Sequence, residues 1–200
     1  MARLTSVLHK AKSVHELGLL KVLQSEITHE LSNNLFQSDE SGSLGDFAVD
    51  FDSPLSEDVI LRTKSESGEE VAVSALLGPD RFEENSKYPR EVRMKVCIRK
   101  PSMSSIMQFD CGAFSMGVNK SNFNIYSAHY IPSLSCLDSS VYRGPSFSSL
   151  DPQLQDELKQ YLMARGISEH LTNSLLHHMH KKEQSQYVRW LQNLELAISK

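Results

Sequence analysis

The C-terminal end of the chain sets the tightest limit on the fold. Ser168 is placed to cap a helix, and Leu171, Leu175 and Met179 run on into Tyr187, Leu191, Leu194 and Ile198 at helical spacing. Continuous to residue 199, such a helix is about 48 Å long at 1.5 Å per residue. A helix that long overhangs a small sheet, so its stripe needs a second helix or another subunit. The N-terminal end carries a matching stripe. Ser13-Val14-His15-Glu16 reads as a capping box, and Leu20, Leu23, Ile27 and Leu31 follow, with Leu19 widening the ridge. The spacing predicts a helix over about 13–33 that pairs antiparallel with the C-terminal one.

Between the ends the period is two. Phe47, Val49 and Phe51 alternate with acids. Val59–Thr63, a Ser65–Gly68 turn and Val71–Val73 read as strand, turn, strand. Val92, Met94, Val96 and Ile98 alternate with Arg93, Lys95, Cys97 and Arg99, which makes one face of a strand apolar and the other basic. Ser105–Cys111 and Phe123–Tyr130 add strands, while residues 34–45 and 79–85 read as polar connections. Strands that follow one another this closely form an antiparallel sheet, not βαβ units. Asp151-Pro152 then starts a helix with Leu154, Leu158 and Leu162, and Arg165-Gly166 ends it. The class is α+β.

Composition narrows the function. The chain has 200 residues, 40% of them hydrophobic and 23% charged, which fits a soluble globular protein. No stretch approaches a membrane-spanning apolar run, so no membrane insertion is expected. Cys97, Cys111 and Cys136 form no CxxC pair, which argues against a disulfide scaffold or a cysteine zinc site and for a reducing compartment. They read as small buried hydrophobes. His177, His178 and His180 are too few for a zinc site, and Lys181 and Lys182 would repel a cation; a partly exposed, pH-sensitive helix surface is the expectation. Phosphate loops, nucleophile elbows and metalloprotease motifs are missing. The pattern favours a binding protein with no catalytic residues, no metal and no cofactor.

Charge is distributed in blocks. The formal total is −4. Residues 39–86 hold thirteen acids against Arg62, Lys64 and Arg81. Residues 87–100 hold six bases against Glu91. The acidic block attracts basic partners. Asp50, Asp52, Glu69 and Glu70 on that side, with Arg93, Lys95 and Arg99 on the basic strand, are the candidate partner-binding side chains. Cross-strand pairing between the two blocks is a competing use. RNA binding through the strand at 87–100 is the alternative function. Residues 1–12 contain no acid, and Leu4, Leu8 and Ala11 share a face flanked by Arg3, His9, Lys10 and Lys12. They read as a short presequence or a frayed terminus ahead of a single domain at 13–200.

Several separated stretches carry a family likeness. YRGPSFSSLDPQLQDELKQYLMARGIS (Tyr142–Ser168) and YVRWLQNLELAI (Tyr187–Ile198) resemble the mitochondrial glycoprotein family, the mitochondrial acidic matrix proteins, in a plant-type form. LLKVLQSEI (Leu19–Ile27) resembles its N-terminal helix, and DFAVDFD and SIMQFDCGAF its strands. The resemblance implies a strongly twisted antiparallel sheet of about seven strands, one N-terminal and two C-terminal helices, and a ring-shaped homotrimer. It implies a non-enzymatic matrix scaffold or chaperone-like protein that binds other matrix proteins, basic ones among them, in support of mitochondrial gene expression, ribosome biogenesis and oxidative phosphorylation. The mitochondrial matrix is the expected compartment, with cytosol or nucleus as runner-up. Leu20, Leu23, Ile27, Leu31, Tyr187, Trp190, Leu191, Leu194 and Ile198 are the residues expected at the helix pairing or a subunit interface.

Overall fold

Periodicity in the middle of the chain becomes one sheet. In the computed structural model the described residues are 2–32, 44–80, 88–117, 120–133 and 142–199, with side chains described from residue 16 onward. The strands are β1 (Ala48–Asp52), β2 (Val59–Lys64), β3 (Glu70–Asp80), β4 (Arg90–Arg99), β5 (Ile106–Ser115) and β6 (Ser121–Ile131). They lie in sequence order, each antiparallel to the next. Six strands are thus found among the described residues, close to the number the resemblance implies. The expected connections at 34–45 and 79–85 fall largely outside them.

Three helices complete the chain: α1 (Ala2–Ser32), α2 (Pro152–Met163) and α3 (Glu169–Ile198). The expected start of α1 at Ser13 is corrected, because the helix already runs from Ala2. Nothing in the acid-free stretch before Ser13 breaks a helix. Extending an existing helix adds one hydrogen bond per residue fixed, whereas a new start costs a nucleus. Ser13 therefore lies within the helix and not at its start. Asp151 does cap α2, accepting from the backbone N–H of Gln153 at 2.9 Å and Leu154 at 3.3 Å, with Pro152 at the first position. Gly166 takes the left-handed backbone (φ 87°) that ends this region and lets the chain turn into α3.

The chain divides into two compact units, Asp39–His180 and Met1–Ser38 with Lys181–Lys200. In the first, one sheet face forms the core: Val59 and Leu61, Val71, Val73 and Ala75, Val92, Met94, Val96 and Ile98, Phe109 and Cys111 are all buried. Register places Val96 opposite Val73 and Phe109, so these side chains share a face. The helices lie over that same face. Tyr161 of α2 meets the Phe109 ring at 6.4 Å, and Thr172 of α3 bonds Ser121 at 2.6 Å. Leu162, Ile167, Leu171, Leu175, Leu176 and Met179 are buried. In the second unit α1 runs beside the end of α3. Gln24 donates to Glu195 at 2.8 Å, Tyr187 to Glu26 at 3.2 Å, and Gln184 to the Glu30 carbonyl at 3.3 Å. Position rises along one helix as it falls along the other, so the pair is antiparallel.

Candidate functional site

The sheet's second face carries the polar half of each strand's alternation. Arg62 bonds Asp50 at 2.9 Å. Glu70 receives Arg99 at 2.6 Å and Lys64 at 3.3 Å, and these two cations hold its carboxyl below the ordinary value. Arg93 reaches Glu91 at 3.4 Å. The basic strand is therefore knitted into the acidic segment on β3, the cross-strand pairing its register permits.

Glu91 is only 5% exposed although it is charged and on the polar face. Tyr126 donates to it at 2.8 Å, crossing β5 above Gly112. A side chain at residue 112 would collide with that ring, which is why a glycine stands mid-strand. Asp110 accepts from Ser127 at 2.6 Å and from Gln108 at 3.2 Å, and His129 lies 3.5 Å away. This order cannot activate the serine, because its hydroxyl hydrogen points at the carboxylate and the imidazole stands beyond.

The remaining candidates have definite places. Asp52 bonds His178 at 2.8 Å. Glu69 takes Arg165 at 2.8 Å, and that guanidinium lies 3.4 Å over the Tyr161 ring. Lys95 is exposed beside Cys97. Of the seven charged candidates, Asp50, Asp52, Glu69, Glu70, Arg93 and Arg99 are thus engaged within the chain. Cys97 is half-buried and Cys111 buried; burial raises both thiols, Cys111 to about 12. Both stay protonated at neutral pH and are poor nucleophiles. Cys136 lies outside the described residues. Among the described residues no three His, Cys, Asp or Glu side chains gather to hold a metal ion, and no helix is long and apolar enough to cross a membrane.

The expectation of a partly exposed histidine surface holds for His178 alone and is corrected for His177 and His180. His177 and His180 are each 4% exposed, and only His178 reaches the surface. They belong to the buried stripe of α3 with Leu176 and Met179. Tyr88 covers them, its hydroxyl 3.3 Å from His177 and its ring 5.0 Å from that of His180. His180 Nδ1 bonds the Leu176 carbonyl at 2.8 Å, and burial lowers its pKa. Spacing along α3 put two histidines on one face but gave no sign that Tyr88 would close over them. Tyr126 and Asp110 likewise escaped the reading of the sequence. The one available signal was Gly112 inside an apolar strand.

The helix pair is the other surface. Leu23 and Leu191 are buried, and Leu20, Ile27, Tyr187, Leu194 and Ile198 half-buried. Leu31 and Trp190 are each 55% exposed, and Trp190 stacks on Tyr187 at 6.0 Å. Leu17, Leu19, Val22 and Leu196 are exposed as well. Two helices bury only the seam between them, so the flanks of both stripes remain uncovered.

Comparison with known proteins agrees with this architecture. The p22 protein of Trypanosoma brucei, in its crystal structure, superposes with a TM-score of 0.66 at 18% identity over 92% of this chain and 99% of its own. A Leishmania major protein described as a homologue of human p32 matches equally well. At that identity the likeness is one of fold. An uncharacterised protein of Arabidopsis thaliana, named as mitochondrial, is 26% identical over 90% of this chain and 74% of its own length. The mitochondrial acidic protein mam33 of Schizosaccharomyces pombe is 42% identical over 26% of this chain and 20% of its own. The family model for mitochondrial glycoprotein matches residues 48–198, from β1 to the end of α3, and the chain belongs to that family.

Proposed function

We propose that the chain is a non-enzymatic homotrimer of the mitochondrial matrix, a scaffold or chaperone-like protein that meets other proteins through charged faces. In this reading it supports mitochondrial gene expression, ribosome biogenesis and oxidative phosphorylation. The observation that carries it is the uncovered ridge of the helix pair, where Leu19, Val22, Leu31 and Trp190 face solvent. Apolar side chains massed on one pair of helices mark a surface that another chain covers. Family membership and relatives named as mitochondrial support the compartment.

Light scattering on the purified chain at low micromolar concentration tests the assembly. A mass three times that of the 22.6 kDa chain is expected, and a stable monomer overturns it. Fractionation of intact organelles tests the compartment: the chain survives protease until the inner membrane is opened. RNA binding through β4 draws little support. Arg93 and Arg99 already hold Glu91 and Glu70, so phosphates would have to displace carboxylates there.

A further inference from the structure

α1 outruns the helix it pairs with. Its bonds to α3 run from Glu30 with Gln184, through Glu26 with Tyr187, to Gln24 with Glu195, and α3 ends at Ile198. Glu16, Leu17, Gly18 and Leu19 make a full turn of α1, and all four are exposed. A helix exposed on every side of one turn has no neighbour covering it there. Yet α1 continues through this turn back to Ala2. The residues ahead of Glu16 add roughly 20 Å of helix at 1.5 Å per residue. A lone helix of that length is marginal in water unless something covers one of its faces.

The sequence of this overhang says what chemistry covers it. Leu4, Leu8 and Ala11 stand at positions that share one helical face. At about 100° per residue, that face lies roughly a third of a turn from the one holding Leu20, Leu23 and Ile27. It therefore does not continue the seam with α3. Lys12 falls at one border of the apolar face, and Arg3 and Lys10 at the other. From Ala2 to His15 there is no acid. The same segment of a second copy would set cations against cations, which repel. A flat anionic surface answers the whole pattern: the apolar face meets the acyl boundary while the cations on both borders reach headgroups. We propose that the first half of α1 binds an anionic lipid surface, lying in the interface without crossing it. The inference goes beyond protein docking and does not rest on the trimer.

The test uses the purified full-length chain with phosphatidylcholine vesicles, either pure or carrying about one-third phosphatidylglycerol. Co-sedimentation should show at least about tenfold stronger partition onto the anionic vesicles. Amide exchange of residues 2–15 should slow on those vesicles by more than about tenfold. Arg3→Gln, Lys10→Gln and Lys12→Gln together should weaken partition about a hundredfold. Leu4→Ser with Leu8→Ser, which keeps every charge, should weaken it at least about tenfold. Both variants should keep the parent's melting temperature. The proposal is overturned by equal partition onto neutral vesicles, by no partition, by variants that bind like the parent, or by sedimentation without protection of residues 2–15. Protection that rises with protein concentration in the absence of lipid also overturns it, because a second copy then covers the face. So does equal protection by a glutamate-rich peptide, which would make the partner an acidic protein. The mass that tests the trimer is read without lipid, so the two readings fail separately.

Discussion

The two halves of α3 share one helical repeat and meet opposite fates. From Leu171 to His180 every residue is buried or half-buried, and Leu175 and Leu176 have no exposed surface at all. From Lys181 to Ile198 only Leu191 is buried. Apolar spacing is much the same in both halves, so the difference lies in what covers each. The first half lies over the apolar face of a six-stranded sheet. The second has α1 for company, and one helix covers one seam. A stripe in a sequence thus reports that burial is needed, while the amount delivered depends on the partner.

The largest test of this contrast is in the first half. Leu175→Ala removes a fully buried side chain and should cost about 2–5 kcal/mol, read as a lower urea midpoint at every protein concentration. A loss below about 0.5 kcal/mol would mean the sheet-covered half is no better packed than the other. The corner leading into α3 comes next. Arg165 makes a two-pronged pair with Glu69, their side chains 20% and 15% exposed, and donates to the Tyr161 carbonyl at 3.0 Å. Arg165→Ala should cost about 1.5–3 kcal/mol, since it strands a largely buried carboxylate. If Arg165→Ala and Glu69→Ala together cost as much as the two separate losses summed, the pair contributes no coupling.

Much of this architecture was legible in the chain. Val92, Met94, Val96 and Ile98 are buried and the intervening cations face away, as period two dictates. Gly166 and Asp151 mark the ends of α2 because each fills a backbone need few residues meet. Legibility failed where the deciding partner is distant in sequence. Phe47, Val49 and Phe51 alternate as regularly as β4, yet only Phe47 is buried; within β1 a bulge between Val49 and Phe51 breaks the alternation, and all five of its residues are exposed. His177 and His180 looked like surface residues beside two lysines until Tyr88, far back in the chain, covered them. Ser13 looked like a cap because capping is a local pattern, whereas the absence of a break before it is a longer-range property.

The buried histidines give the contrast a pH signature. Burial lowers the pKa of His180 from its ordinary 6.5, with Arg90 and His177 adding to the effect and the Leu176 carbonyl opposing it. The unfolded chain then binds the proton more readily than the folded one. Stability linked to this group is complete above pH 6.5 and is lost as pH falls from there towards the folded value. The urea midpoint should therefore decline between pH 7 and 5, and His180→Gln should flatten that decline. An unchanged slope in the variant would place the acid sensitivity elsewhere. No histidine follows His180 in α3, so its outer half should contribute nothing to the slope.

The smallest effect on folding is expected at the residue with the largest effect on association. Trp190 stacks on Tyr187 but is 55% exposed, so most of its surface already faces water. In dilute solution Trp190→Ala should lower stability by less than about 1 kcal/mol, the range for an exposed aromatic pair. At higher concentration the outcome should diverge. A chain whose exposed ridge is covered by other copies melts at a temperature that climbs with concentration, because association binds the folded state. The Trp190→Ala variant should lose that climb while Leu175→Ala, though far less stable, keeps it. If both variants retain the same concentration dependence, the outer half of α3 is not where copies meet, and its bare stripe has another use.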